Sequence, residues 1–115
     1  DKGSEKDDLE DTSIHRAIRM NKEFIAVGRL HFIDKNIAQI RYMGVEKKYQ
    51  SKGLGRLIVE EFERISNNKN IFKIILYARK SAVIFYQKLD FIVVNEAHRL
   101  KGIQHFLMEK EINNS

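Results

Sequence analysis

Gln50-Ser51-Lys52-Gly53-Leu54-Gly55-Arg56 stands where the sequence changes period. Upstream, residues 37–45 hold Ile, Tyr, Met and Val in a run suited to a central strand. Downstream, Leu54, Leu57, Ile58, Phe62 and Ile65 recur at spacings of three and four, so they share one helix face, while Arg56, Glu60, Glu63 and Arg64 point largely elsewhere. Glycine at 53 and 55 lets the backbone adopt positive φ and come close to a ligand, and a helix start turns several unpaired N–H groups toward one point. Such a junction suits a phosphate or pyrophosphate. Two glycines alone also fit an ordinary loop, and neither nucleotide fingerprint is met. A Walker loop ends in Gly-Lys-Ser or Gly-Lys-Thr, and the dinucleotide turn has a third glycine where Ile58 stands.

Working outward, an alternating stretch over residues 13–20 reads as a first strand, with Ile14 and Ile18 as its apolar members. Asn21-Lys22 turns it into a second strand over residues 24–32, and Asp34-Lys35-Asn36 leads into the third, 37–45, completing an antiparallel meander. The helix after Gly53 ends near Asn67-Asn68. Residues 71–78 read as a buried strand, Ser81 as the cap of a second helix over 82–89, and two short strands follow over 92–94 and 104–109. The order is α+β: three strands, helix, strand, helix, two strands.

The whole chain has 115 residues, 43% of them hydrophobic and 32% charged, the make-up of one domain with a core. No apolar run approaches the roughly 20 residues of a membrane-spanning helix. Absence of Cys excludes a disulfide scaffold and a thiolate metal site, and four scattered His residues suggest no metal. Residues 1–11 hold six acids against two bases, a net −4, and read as a flexible arm without a signal peptide's apolar centre. A cytoplasmic location is expected. Since the total charge is +5, the other 104 residues carry +9 by difference. That balance favours an anionic partner: a phosphorylated cofactor, an acidic surface or nucleic acid. Nucleic acid ranks last, because no clustered basic helix, Gly-rich RNA-binding signature or aromatic pair among arginines is present.

A second segment, Ala78-Arg79-Lys80-Ser81-Ala82-Val83-Ile84-Phe85-Tyr86-Gln87-Lys88-Leu89-Asp90-Phe91, taken with Gln-x-x-Gly-x-Gly, resembles the GNAT superfamily of acyl-CoA-dependent N-acyltransferases. The resemblance covers roughly residues 12–110 and implies a single GNAT-like domain over 12–115. Its fold would be a mixed, mostly antiparallel sheet flanked by helices, with no counterpart in this sequence of the family's first strand and first two helices. It further implies acetyl-CoA as cosubstrate and an amine acceptor. By position, the amides of Gln50, Ser51, Lys52, Gly53, Leu54, Gly55 and Arg56 would hold the pyrophosphate. The main chain of Met43 and Val45 would meet the thioester carbonyl and the pantetheine arm, Lys47, Lys48, Lys52 and Arg56 would face phosphates, and Tyr86 would protonate the departing thiolate. With no Cys nucleophile, direct transfer in a ternary complex fits best; a non-catalytic acyl-CoA-binding or regulatory module is the alternative.

Three positions depart from the family. Asp90 stands where Gly is usual, and Asp tolerates left-handed geometry. Tyr77 stands where Asn is frequent, and the acidic arm replaces elements that help form the acceptor site. The general base is open: Gln39 occupies the position of a catalytic glutamate, leaving Glu46, Glu96, His31, His98, His105 or a water chain. Gly102-Ile103-Gln104-His105 is similar to members with a histidine on the last strand near the acceptor. Arg29 reads either as an exposed strand arginine or as a contact for an acceptor carboxylate. The truncated edge makes a homodimer one expected arrangement.

Overall fold

The computed structural model describes residues 12–112. The expected arm over residues 1–11 lies outside the described residues. Six strands and two α-helices follow in the order β1 (Ser13–Met20), β2 (Glu23–Phe32), β3 (Ile37–Val45), α1 (Leu54–Asn68), β4 (Lys73–Arg79), α2 (Lys80–Gln87), β5 (Ile92–Leu100) and β6 (Ile103–Glu111), with a 3-10 turn at Lys47–Tyr49. They make one sheet ordered β1-β2-β3-β4-β6-β5. Only β3 and β4 run parallel. The meander, the element order and the mostly antiparallel sheet agree with the expectation.

The turns follow local chemistry. Asn21 takes φ 58° between β1 and β2. Asp34 Oδ1 accepts from the backbone N–H of Asn36 at 2.8 Å and of Ile37 at 3.0 Å, closing the next turn. Asp90 sits at φ 74°, so the aspartate adopts the left-handed geometry expected of it.

Both helices contribute to one core, on one face of the sheet. Leu30, Ile74, Leu76 and Met108 rise from the strands to meet Ile58, Val59 and Phe62 of α1, with Tyr86 and Phe91 completing the cluster. Gly28 makes room for this contact: a Cβ there would lie 2.8 Å from Ile58 Cγ2 and 3.0 Å from the Phe62 ring. The buried stripe of α1 is Gly55, Ile58, Val59, Phe62, Ile65 and Ser66. Leu57, expected on that face, is 55% exposed. At about 100° per residue it lies roughly opposite Gly55, and the stripe turns on Gly55 and Val59, which a count of large apolar residues overlooks.

Ser66 is fully buried and its hydroxyl meets no hydrogen-bond partner among the described residues. Ser66→Ala is therefore expected to raise stability by about 1 kcal/mol, removing a desolvated hydroxyl and improving helix propensity. A urea midpoint at or below that of the unaltered chain would contradict this.

Other boundaries differ from expectation. β4 begins at Lys73 and passes into α2 with no loop, so α2 starts two residues early; Arg79 is its N-cap residue, and no side chain, Ser81 included, caps it. The last two strands are nine residues each and form a hairpin through Lys101 (φ 53°) and Gly102 (φ 79°). Consecutive positive φ values give the two-residue turn whose twist suits a hairpin. Register shifts at Val93/Asn95 and Glu96/Arg99 break the alternation of β5, which is why its full length does not show in the pattern.

Candidate active site

The site opens where two strands part. β3 and β4 pair from Ile37 with Lys73 to Ile40 with Leu76, and their pairing ends there. A register shift opposite Arg29 and Leu30 leaves Arg41 as an extra residue in β3, and a bulge of this kind bends the strand that carries it. Glu46 N–H donates to the Ile25 carbonyl at 2.8 Å, and Val45 is the partner of Ala26. By the alternation of an antiparallel ladder, Gly44 then bonds to β2, while the N–H and C=O of Met43 and Val45 point into the gap beside β4. Gln50 Nε2 donates to the Val45 carbonyl at 3.1 Å, tying the following turn to the end of the strand.

That turn places backbone donors on the same gap. Ser51 has φ 67° and Gly53 φ 84°. A Cβ at Gly53 would touch nothing within 4 Å, so the glycine is there for its conformation and for an open approach, not for packing. Gly55 differs: its Cβ would lie 3.0 Å from the Phe85 ring, so this glycine lets α1 and α2 close together. The first bond within α1 runs from Leu57 N–H to the Gly53 carbonyl, leaving the amides of Leu54, Gly55 and Arg56 without helical partners. Among the described residues no side chain caps either helix. Residues of both helix N-termini border one cavity of about 610 Å³, lined by Met43, Val45, Gln50, Ser51, Gly53, Leu54, Gly55, Ser81, Phe85 and Tyr86 among others. Uncapped amides at two positive dipole ends, an apolar wall and no lining carboxylate fit the pyrophosphate and pantetheine of coenzyme A.

Tyr86 stands between this cavity and a second of about 290 Å³ in the gap itself, bordered by Arg41, Tyr42, Tyr77, Arg79 and His105. It is 6% exposed, edge-on to Phe85 and Phe91. Burial pushes its phenol up to about 12.

The structure thus gathers eight of the ten expected site residues around one cavity. Lys52 and Arg56 do not line it; the Arg56 guanidinium instead donates to Glu60 at 2.9 Å. Arg79, Ser81 and Phe85 were missed, and the abrupt change from the alternation of β4 to the helical spacing of α2 is the signal that could have found them. Of the candidate bases only His105 borders a cavity shared with Tyr86. Its Nδ1 lies 3.0 Å from the Ile103 carbonyl, which can only accept, so Nδ1 carries hydrogen and Nε2 is the ring nitrogen left for another partner. His98 stacks on His105 at 4.8 Å, and Tyr77 packs against His98. Gln39 accepts from Arg41 at 3.5 Å. Among the described residues no group of three or more His, Cys, Asp or Glu could hold a metal, and no helix is long and apolar enough to cross a membrane.

Known proteins resemble the chain in sequence and in fold. The uncharacterized protein YyaT of Bacillus subtilis is 29% identical over 98% of this chain and 76% of its own length. An aminoglycoside 6'-N-acetyltransferase complexed with coenzyme A matches 96% of this chain and 79% of its own, with a TM-score of 0.82 at 14% identity. A GNAT family acetyltransferase from Elizabethkingia anophelis with acetyl-CoA bound matches 94% of this chain and 82% of its own, with a TM-score of 0.76 at 18% identity. At those identities the two structures speak for the fold. The model of the acetyltransferase (GNAT) domain matches residues 5–112, taking in the strand splay, the turn at Gly53 and Tyr86 together, and the chain belongs to that family.

Proposed function

We propose that this chain transfers an acetyl group from acetyl-CoA to an amine by direct attack within a ternary complex. The observation that carries the reading is the position of Tyr86, shared by a cavity with anion-binding backbone donors and by a second cavity in the strand gap. Acetyl-CoA supplies a thioester at which N–C forms and C–S breaks, while the amine gives up a proton and the thiolate gains one. The amides of Ser51 through Arg56 hold pyrophosphate at the start of α1. Main-chain groups of Met43 and Val45 in the gap orient the pantetheine, and an N–H there is aimed at the developing oxyanion. Tyr86 directs its O–H at sulfur, and Nε2 of His105 is placed to take the amine proton. The fold likeness to acetyltransferases holding acetyl-CoA or coenzyme A supports the same ligand here.

Calorimetric titration with acetyl-CoA, followed by a free-thiol assay over a panel of amines, tests this. Binding with amine-dependent thiol release is expected; binding without release supports the non-catalytic alternative, and no binding by folded protein overturns both. Gly53→Glu sets a carboxylate in the anion cradle and is expected to weaken binding about tenfold or more. Gly53→Asn, whose side chain tolerates the left-handed backbone, should bind within a few-fold of the unaltered chain. Equal affinities for the Glu variant and the unaltered chain would remove the turn from the site.

A further inference from the structure

We propose that the acceptor is an amine that also carries an anionic oxygen group, carboxylate or phosphate, and that Arg29 and Arg41 hold that group. This inference rests on the acyltransfer reading and names its second substrate.

The acceptor must reach the thioester from the side that the coenzyme leaves open. The cavity in the strand gap shares Met43, Arg79, Ala82 and Tyr86 with the coenzyme cavity, and it shares Arg41 and Tyr42 with a third, of about 700 Å³, over β1 to β3. The three form a series with Tyr86 near one end and Arg29 at the other. Arg29 leaves the sheet on the side away from α1, since its neighbours Gly28 and Leu30 face the helix. Among the described residues no helix covers this side.

Charge selects the ligand. Among the described residues no Asp or Glu lines either acceptor-side cavity. Arg16, at the border, is already engaged: its guanidinium donates to Glu61 at 3.2 Å. Hydrogen bonds from Arg64 and then Arg16 hold the Glu61 carboxyl at about 2, so it stays an anion facing Arg16. Among the described residues Arg41 reaches only the neutral amide of Gln39. Arg29 Nε is buried with no hydrogen-bond partner among the described residues. A buried guanidinium N–H without an acceptor is uncommon, and an oxyanion in the adjoining cavity would satisfy it. The planar fork of arginine matches carboxylate and phosphate with paired N–H bonds. A polyamine or other polycation meets only like charge on this path, whereas an amine with an anionic group has its anion placed by Arg29 and its nitrogen free to extend toward Tyr86. Phe24, Val27 and Ala17 provide an apolar floor for the chain between the two groups.

Thiol release with a ladder of ω-amino acids, the alkylamines of equal length, aminoalkyl phosphates and diamines is the test. The anionic members are expected to exceed the matching alkylamines in kcat/KM by about tenfold or more, with diamines slowest. Whichever of carboxylate or phosphate leads identifies the anion. Arg29→Gln should bring the anionic-to-neutral ratio close to one, and Arg29→Lys should restore part of it, with acetyl-CoA affinity as the folding control. Alkylamines or diamines performing as well as the anionic acceptors, or a ratio untouched by Arg29→Gln, would overturn the proposal. Should acetyl-CoA bind and no amine release thiol, transfer fails as the function, and the binding question is read separately from the Arg29 Nε–H resonance of the acetyl-CoA-saturated protein. A shift with ω-amino acids or aminoalkyl phosphates but not with alkylamines upholds the anion site; no shift, or equal shifts with both, overturns it.

Discussion

Phe62→Ala is expected to destabilise the chain by about 3–5 kcal/mol, the usual cost of emptying a fully enclosed aromatic site. Phe62 has 0% exposure and lies midway along α1, over the hollow left by Gly28 in β2. Its ring joins the helix to the sheet where β2 and β3 bring Leu30, Ala38 and Ile40 into the core. Neighbours cannot collapse into the space easily, because they are held by a hydrogen-bonded sheet on one side and a helix backbone on the other. A domain stability of about 5–15 kcal/mol leaves little in reserve after such a loss, and the thermal midpoint should fall by about 10 °C or more. Phe72, at 46% exposure just before β4, is the comparison. Phe72→Ala should cost less than about 1 kcal/mol. Equal urea midpoints for the two variants would show that α1 is not anchored through Phe62.

The same packing explains what could be read in the sequence and what could not. The start of α1 was legible at Gly53 because a left-handed residue before a run of helical spacing has few other uses. Tyr86 was legible only as part of a longer motif, since a tyrosine beside a phenylalanine on a short helix reads equally well as core, and its burial at 6% exposure agrees with that too. The separation of β3 from β4 was legible only through the family resemblance, which implies a splay there: taken alone, residues 37–45 look like one uninterrupted strand, and the extra residue at Arg41 has no signature of its own. Arg29 illustrates the same point from the other side. Its burial comes from β1 and β3, which place His15 and Tyr42 on either side of it, a fact of register and not of local sequence. Lys52 and Arg56, attractive as charges near a phosphate, do not line the cavity, and at least Arg56 has a closer partner one turn along its own helix. Backbone donors, which any residue carries, do most of the anion binding proposed for the turn.

Tyr86→Phe is expected to lower kcat by about 10²–10³-fold while changing acetyl-CoA affinity by less than about threefold. The ring and its contacts with Phe85 and Phe91 remain, so only the hydroxyl is lost. With its phenol pushed up to about 12 by burial, Tyr86 is protonated throughout the physiological range and is always available as a donor. The magnitude also restricts how it donates. A thiol of ordinary pKa about 8.5 is a stronger acid than this phenol by about 3.5 units, so full transfer to a free thiolate runs uphill by about 5 kcal/mol. In the proposed reaction Tyr86 would therefore act through a hydrogen bond to sulfur that strengthens as the C–S bond breaks, with the proton shed by the amine completing the exchange. Activity should show no inflection from Tyr86 below about pH 11. Stability has the opposite sensitivity: a phenol whose pKa is raised by folding contributes stability that is complete below pH 10 and lost as pH rises through 12, about 2–3 kcal/mol in all. Phenylalanine has no such loss, so urea midpoints of the two proteins should shift in favour of the variant between pH 10 and 12. A kcat within threefold of the unaltered chain, with that stability shift intact, would make Tyr86 a buried core residue and leave the thiolate to be stabilised by the helix N-termini alone.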